Sequence, residues 1–126
     1  MRSPPDPSRG LQPYHHPVSA YFTYPYLNAD VELTDEREAH IHRRHPDVIP
    51  GNLELIAQTL SIPQAVRRSP QRSDTLLISR WYDDFLGGKY LNVVVKTDRA
   101  DVQRNWVVTA YPSRTPVRGE HLWSRS

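Results

Sequence analysis

The sequence predicts an α+β domain, two N-terminal helices packed on a four-stranded antiparallel sheet. Three observations carry that expectation. Two amphipathic stretches at helical spacing follow each other between Thr34 and Pro63. Beyond Pro63 the apolar pattern changes to alternation, in four runs rich in β-branched and aromatic residues. The loops between those runs are short, which favours an antiparallel meander over crossover connections.

The opening 28 residues hold six prolines and five aromatics, Tyr14, Tyr21, Phe22, Tyr24 and Tyr26. They read as an extended arm whose aromatic run is too apolar to stay in water, so it lies on the body or on a second copy. Residues 29–112 are the predicted domain, and 113–126 a basic tail pinned by Trp123. Asn28–Asp30 reads as a turn and Val31–Leu33 as a short lead-in strand.

The first helix is the unusual element. Thr34 is its expected N-cap, with Asp35 and Glu36 in a first turn that favours anions and Arg43, Arg44 and His45 in a last turn that favours cations. Pro46 forbids continuation. Ala39 and Ile41 are its only apolar residues before His45, so Ile41 must face the core, with His40, Arg44 and His45 flanking it. Flanking side chains have a fixed stem and a head free to enter a cleft; the same charges would serve helix termination and solubility alone. A metal site fits poorly, because His40 and His42 point about 200° apart on a helix and cannot share an ion.

Pro46–Gly51 is a tight connector. Asn52 is the expected cap of the second helix, whose Leu53, Ile56, Ala57 and Leu60 follow i, i+3, i+4, i+7 until Pro63 stops it. The predicted strands are Gln64–Arg68, Thr75–Tyr82, Lys89–Thr97 and Asn105–Tyr111, with Gly87 and Gly88 in the loop between the second and third. Alternation places Leu76, Ile78, Arg80 and Tyr82 on one face of their strand, and Asn105, Val107, Thr109 and Tyr111 together on one face of the last. The core is expected mostly in the second half of the chain.

At 126 residues the chain is sized for one domain. It has no cysteine, which removes disulfides and thiolate chemistry. With no long apolar run and a mean hydropathy of −0.68, the expectation is a soluble cytoplasmic protein that does not enter membranes. The formal charge is only +2, yet fourteen of the sixteen cations are arginine. Arginine suits bidentate phosphate contacts; a GC-rich coding background would produce the same bias.

Histidines, arginines and hydroxyls without metal or thiol suit RNA transesterification. One group takes the 2′-OH proton, another protonates the leaving 5′-oxygen, and cationic donors stabilise charge on the phosphate. An ordinary histidine titrates near pH ~6.5 and can take either role.

The order of H-I-x-x-R-H-P-D (His40–Asp47), a helix ending at Pro63, R-W-Y (Arg80–Tyr82), V-V-V-K and V-V-T-A-Y (Val107–Tyr111) resembles the phage-associated branch of the barnase–EndoU–colicin–RelE-like nucleases. The likeness covers about residues 29–111. It implies helices on a four-stranded antiparallel sheet and a metal-independent, cofactor-free endoribonuclease of toxin or effector type. It implies RNA as the substrate and an inhibitor protein, antitoxin or immunity factor, as a second partner. Carried onto this chain, it implies His40 as the first catalytic candidate and His45 as the second. Arg80 becomes the phosphate contact, and Thr109 and Tyr111 line the site; beside these, Arg44 and Lys89 are the candidate substrate-binding residues. Two other classes remain open: a non-catalytic RNA- or protein-binding module of the same fold, and a homodimer joined through residues 14–26.

Overall fold

The computed structural model describes residues 17–99 and 103–125. In place of four antiparallel strands it holds a seven-stranded mixed sheet, so the expected fold class is corrected. Two strands, β1 (Val18–Tyr24) and β2 (Ala29–Thr34), precede α1 (Asp35–Arg44) and α2 (Leu53–Ser61). Then follow β3 (Ala65–Arg68), β4 (Thr75–Tyr82), β5 (Lys89–Asp98), β6 (Arg104–Ser113) and β7 (Glu120–Ser124). Their spatial order is β1-β2-β6-β5-β4-β3-β7. The four strands expected from alternation form the antiparallel centre. The sheet grows at both edges from segments read as arm and tail.

At one edge β1 pairs antiparallel with β2, and β2 meets β6 in parallel at Glu32 and Trp106. A buried asparagine joins these elements. Asn105 donates to the Asp30 carbonyl at 3.2 Å and accepts from the Thr97 hydroxyl at 2.7 Å. Both bonds satisfy polar atoms that would be costly to bury alone. The segment expected to lie as an arm therefore enters the sheet from Val18 onward. Residues 14–16 of the proposed dimer contact lie outside the described residues. At the other edge β7 pairs with β3, placing Trp123 opposite Val66.

The core is not confined to the second half of the chain. Phe22, Tyr24, Val31 and Leu33 are buried with Ile41, Ile56, Leu60, Ile78, Leu91, Val93 and Val107 in one cluster. Period-2 alternation explains β1: Phe22 and Tyr24 point inward while Tyr21 and Thr23 stay exposed. Ile41 of α1 and Ile56 and Leu60 of α2 are buried in this cluster.

The expected cap of α1 forms, with the Arg37 amide donating to Thr34 Oγ1 at 3.2 Å. Ile41 is the helix's one buried residue. Asn52 stands before α2 but makes no side-chain cap. Its amide nitrogen donates instead to the Asp47 carbonyl at 2.7 Å, closing the connector.

Candidate functional site

A bulge in β6 decides what faces outward. Val94 pairs with Thr109 and Val95 with Val107, so Val108 is an extra residue that shifts the alternation. Val107 and Ala110 face the core, whereas Thr109 and Tyr111 share the opposite face with Trp106. The sequence grouped Thr109 and Tyr111 with Asn105 and Val107; the bulge separates the two pairs. Across the outer face they join Leu77, Ser79 and Trp81 of β4 and Tyr90, Asn92, Val94 and Lys96 of β5.

Helix α1 lies along the second half of β6, and two contacts fix it there. The Arg37 Nε–H donates to the carbonyl oxygen of the bulged Val108 at 2.9 Å. Eight residues on, the His45 ring sits 6.0 Å from the ring of Tyr111, tilted by 34°. Helix and strand therefore run in the same direction. On the far flank the Ser19 hydroxyl donates to the Glu38 carboxylate at 2.8 Å and also meets that of Asp35, tying β1 to the helix.

Along α1, His40 lies one turn beyond Arg37 and one turn before Arg44. Its pKa is lowered, first by partial burial and then by the charges of Arg37, Arg44 and Arg43. A histidine held below its ordinary value is neutral at pH 7 and available as a base. The Tyr111 hydroxyl is pushed up by burial. Arg44 is exposed and His45 half-buried.

Arg80 and Lys89 do not join them. Arg80 shares the core-side face with Ile78 and Tyr82, on the opposite side of the sheet from Thr109. Its Nη1 donates to the Ile62 carbonyl at 2.8 Å, and its guanidinium lies 5.6 Å from the Tyr82 ring centre. There it closes the end of α2 beside the Thr59–Tyr82 hydroxyl pair, 2.9 Å apart. Lys89, opposite Tyr82, donates to the Leu86 carbonyl at 2.9 Å. Neither the arginine nor the lysine faces the His40 strip.

The outer face also holds a group of residues that the sequence did not single out. A hollow of about 660 Å³ opens beside the strip, with Leu77, Val94, Trp106 and Val108 as its apolar lining. Arg37, Arg72, Lys96 and Arg104 also line it. Lys96 Nζ lies 5.7 Å and Arg104 Cζ 5.3 Å from the Trp106 ring centre. Arg104 is held by Glu32 at 2.9 Å, and Lys96 stands 3.8 Å from Asp74. The sequence signal was Arg104 and Trp106 two residues apart in a strand, which puts a cation and an indole on one face.

Among the described residues no three His, Asp or Glu side chains gather as metal ligands, and no helix is long and apolar enough to cross a membrane. Comparison with protein-family models, curated proteins and solved structures finds no match.

Proposed function

We infer that this chain is a metal-independent endoribonuclease working on the outer face of the sheet, along the strip between α1 and β6. The observation that carries the reading is the seating of α1 by the Arg37–Val108 and His45–Tyr111 contacts. It brings the helix bearing His40, Arg44 and His45 alongside the strand bearing Thr109 and Tyr111. His40, with its lowered pKa, takes the 2′-OH proton. His45, the second imidazole whose charge acts on His40, donates to the leaving 5′-oxygen. Arg44 replaces Arg80 as the cation facing the phosphate, because Arg80 is spent on the Ile62 carbonyl across the sheet. The products are a 2′,3′-cyclic phosphate and a 5′-hydroxyl.

The test is incubation of purified protein with single-stranded RNA in EDTA, comparing wild type, His40→Ala, His45→Ala and Arg80→Ala. Cleavage lost in both histidine variants and kept in Arg80→Ala supports this assignment. Equal cleavage by wild type and His40→Ala, or none by wild type, removes it.

A second reading is RNA binding without cleavage. It is favoured by the hollow around Trp106, where cations and an apolar floor meet without a histidine in the lining. It predicts RNA binding by wild type and His40→Ala alike, with no cyclic phosphate from either.

A further inference from the structure

Helix α2 packs on the core side of the sheet and α1 flanks β6, but the start of β6 on the outer face keeps a recess that the RNA-cleavage chemistry does not use. Its floor is apolar: Leu77 is 8% exposed, and Val94, Trp106 and Val108 are half-buried. Its lining carries four cations, Arg37, Arg72, Lys96 and Arg104, against the single acid Glu36. Glu32 and Asp74 pair with some of these cations from outside the lining, so the positive excess is modest and sits toward Arg37 and Arg72. Arg72, with its side chain 64% exposed, reaches Asp74 only at 4.0 Å.

A flat apolar ring with an anion at its edge fits such a recess. Simple anions would leave the floor exposed to water, and neutral apolar ligands would leave the cations unanswered. Nucleotides supply both parts. An aromatic floor with basic residues beside it is also how single strands are held without regard to sequence, through stacking and backbone charge.

We propose that the recess floored by Leu77, Val94, Trp106 and Val108 holds one nucleotide of a single RNA strand, with its base over the floor and its phosphate toward Arg37 and Arg72. This rests on the endoribonuclease reading for its choice of RNA, and it adds where the strand runs. Arg37 belongs to both places, lining the recess and fixing α1 to Val108. Thr109 and Tyr111 continue from Val108 along β6. A strand seated in the recess therefore continues onto the strip, and the nucleotide at Trp106 sits beside the bond being cut.

The experiment is fluorescence anisotropy of the full-length protein with a labelled, uncleavable 2′-O-methyl oligoribonucleotide of about eight nucleotides. Arg72→Glu lies on an exposed loop and leaves the core untouched. It should weaken binding about tenfold. Trp106→Leu, which keeps an apolar floor and loses the indole, should weaken it by a similar factor. Arg118→Glu, an equal charge change at an exposed position outside the recess lining, should leave affinity within about twofold. Equal weakening by Arg72→Glu and Arg118→Glu would mean a diffuse charge effect and overturn the proposal. So would a nucleoside monophosphate binding as tightly as the oligonucleotide, or a duplex of equal length competing as well. The two readings fail separately: binding that depends on Arg72 and Trp106 in a wild-type protein that cuts no RNA leaves the recess standing and removes only the catalytic reading.

Discussion

Replacing Ile41 by alanine tests how the cationic helix is held. Ile41 is fully buried and is the one buried residue of α1. The change removes three carbons, worth about 0.8 kcal/mol each in transfer, or roughly 2.4 kcal/mol together. A cavity left among well-packed neighbours adds to this, and buried isoleucine-to-alanine changes span about 2 to 5 kcal/mol. A loss of about 3 to 4 kcal/mol is expected. Domains of this kind are stable by about 5 to 15 kcal/mol, so the variant should still fold. The exposed Ala39 supplies the comparison, since Ala39→Gly costs about 1 kcal/mol through helix propensity alone. Urea unfolding followed by tryptophan fluorescence reads both, and RNA cleavage reads whether the strip stays in place. If Ile41→Ala costs no more than Ala39→Gly, the helix is held by its polar ties and the anchoring argument fails.

Tyr24 is fully buried, and its hydroxyl has no hydrogen-bond partner among the described residues. Tyr24→Phe should therefore stabilise the fold by about 1 kcal/mol in urea unfolding, and a loss of that size would reveal a partner. Burial also raises the pKa of Tyr24, Tyr82 and Tyr111. Above the ordinary tyrosine value of about 10, the unfolded chain gives up these protons first, so stability falls as pH rises. Thermal unfolding across that range should show the fall, reduced in Tyr24→Phe; a flat profile contradicts it. His40 runs in the opposite sense. With its pKa lowered, the unfolded chain binds the proton first, and the lower limb of a cleavage–pH profile lies below about 6.5. Arg44→Gln removes one of the charges lowering it and should move that limb to higher pH, whatever it does to the maximum rate. A limb that stays put would show that His40 is not the base.

Much of the centre of the sheet was legible in the sequence, because β4 and β5 state their period in consecutive Leu, Ile and Val residues. Helix α2 was legible for the same reason at helical spacing. The edges were not. Alternation in Val18–Tyr24 sits among prolines and reads as an arm until Leu33 and Val31 are known to pair with it. The short β7 offers only Leu122 and Trp123 as apolar residues, and its partner β3 is far away in sequence. The single parallel pairing of Glu32 with Trp106 has no local signal. At the site, the helix with His40, Arg44 and His45 could be read residue by residue. The faces of Thr109 and Tyr111 could not, because one bulged residue reverses the alternation that strand reading depends on. Alternation grouped Arg80 with Leu76, Ile78 and Tyr82 without saying which way that face points, and in the fold it is the core side. That is the physical reason it is absent from the strip.

The most direct measurement is an NMR titration of the labelled protein with an uncleavable single-stranded oligoribonucleotide. Shifts are expected at Leu77, Val94, Trp106, Val108, Thr109 and Tyr111 and along α1 from Arg37 to His45. The amides of Arg80, Tyr82 and Leu53–Ser61 should stay still. Shifts concentrated on Arg80 and α2, with the outer face unmoved, would put the RNA on the wrong side of the sheet for any chemistry by His40.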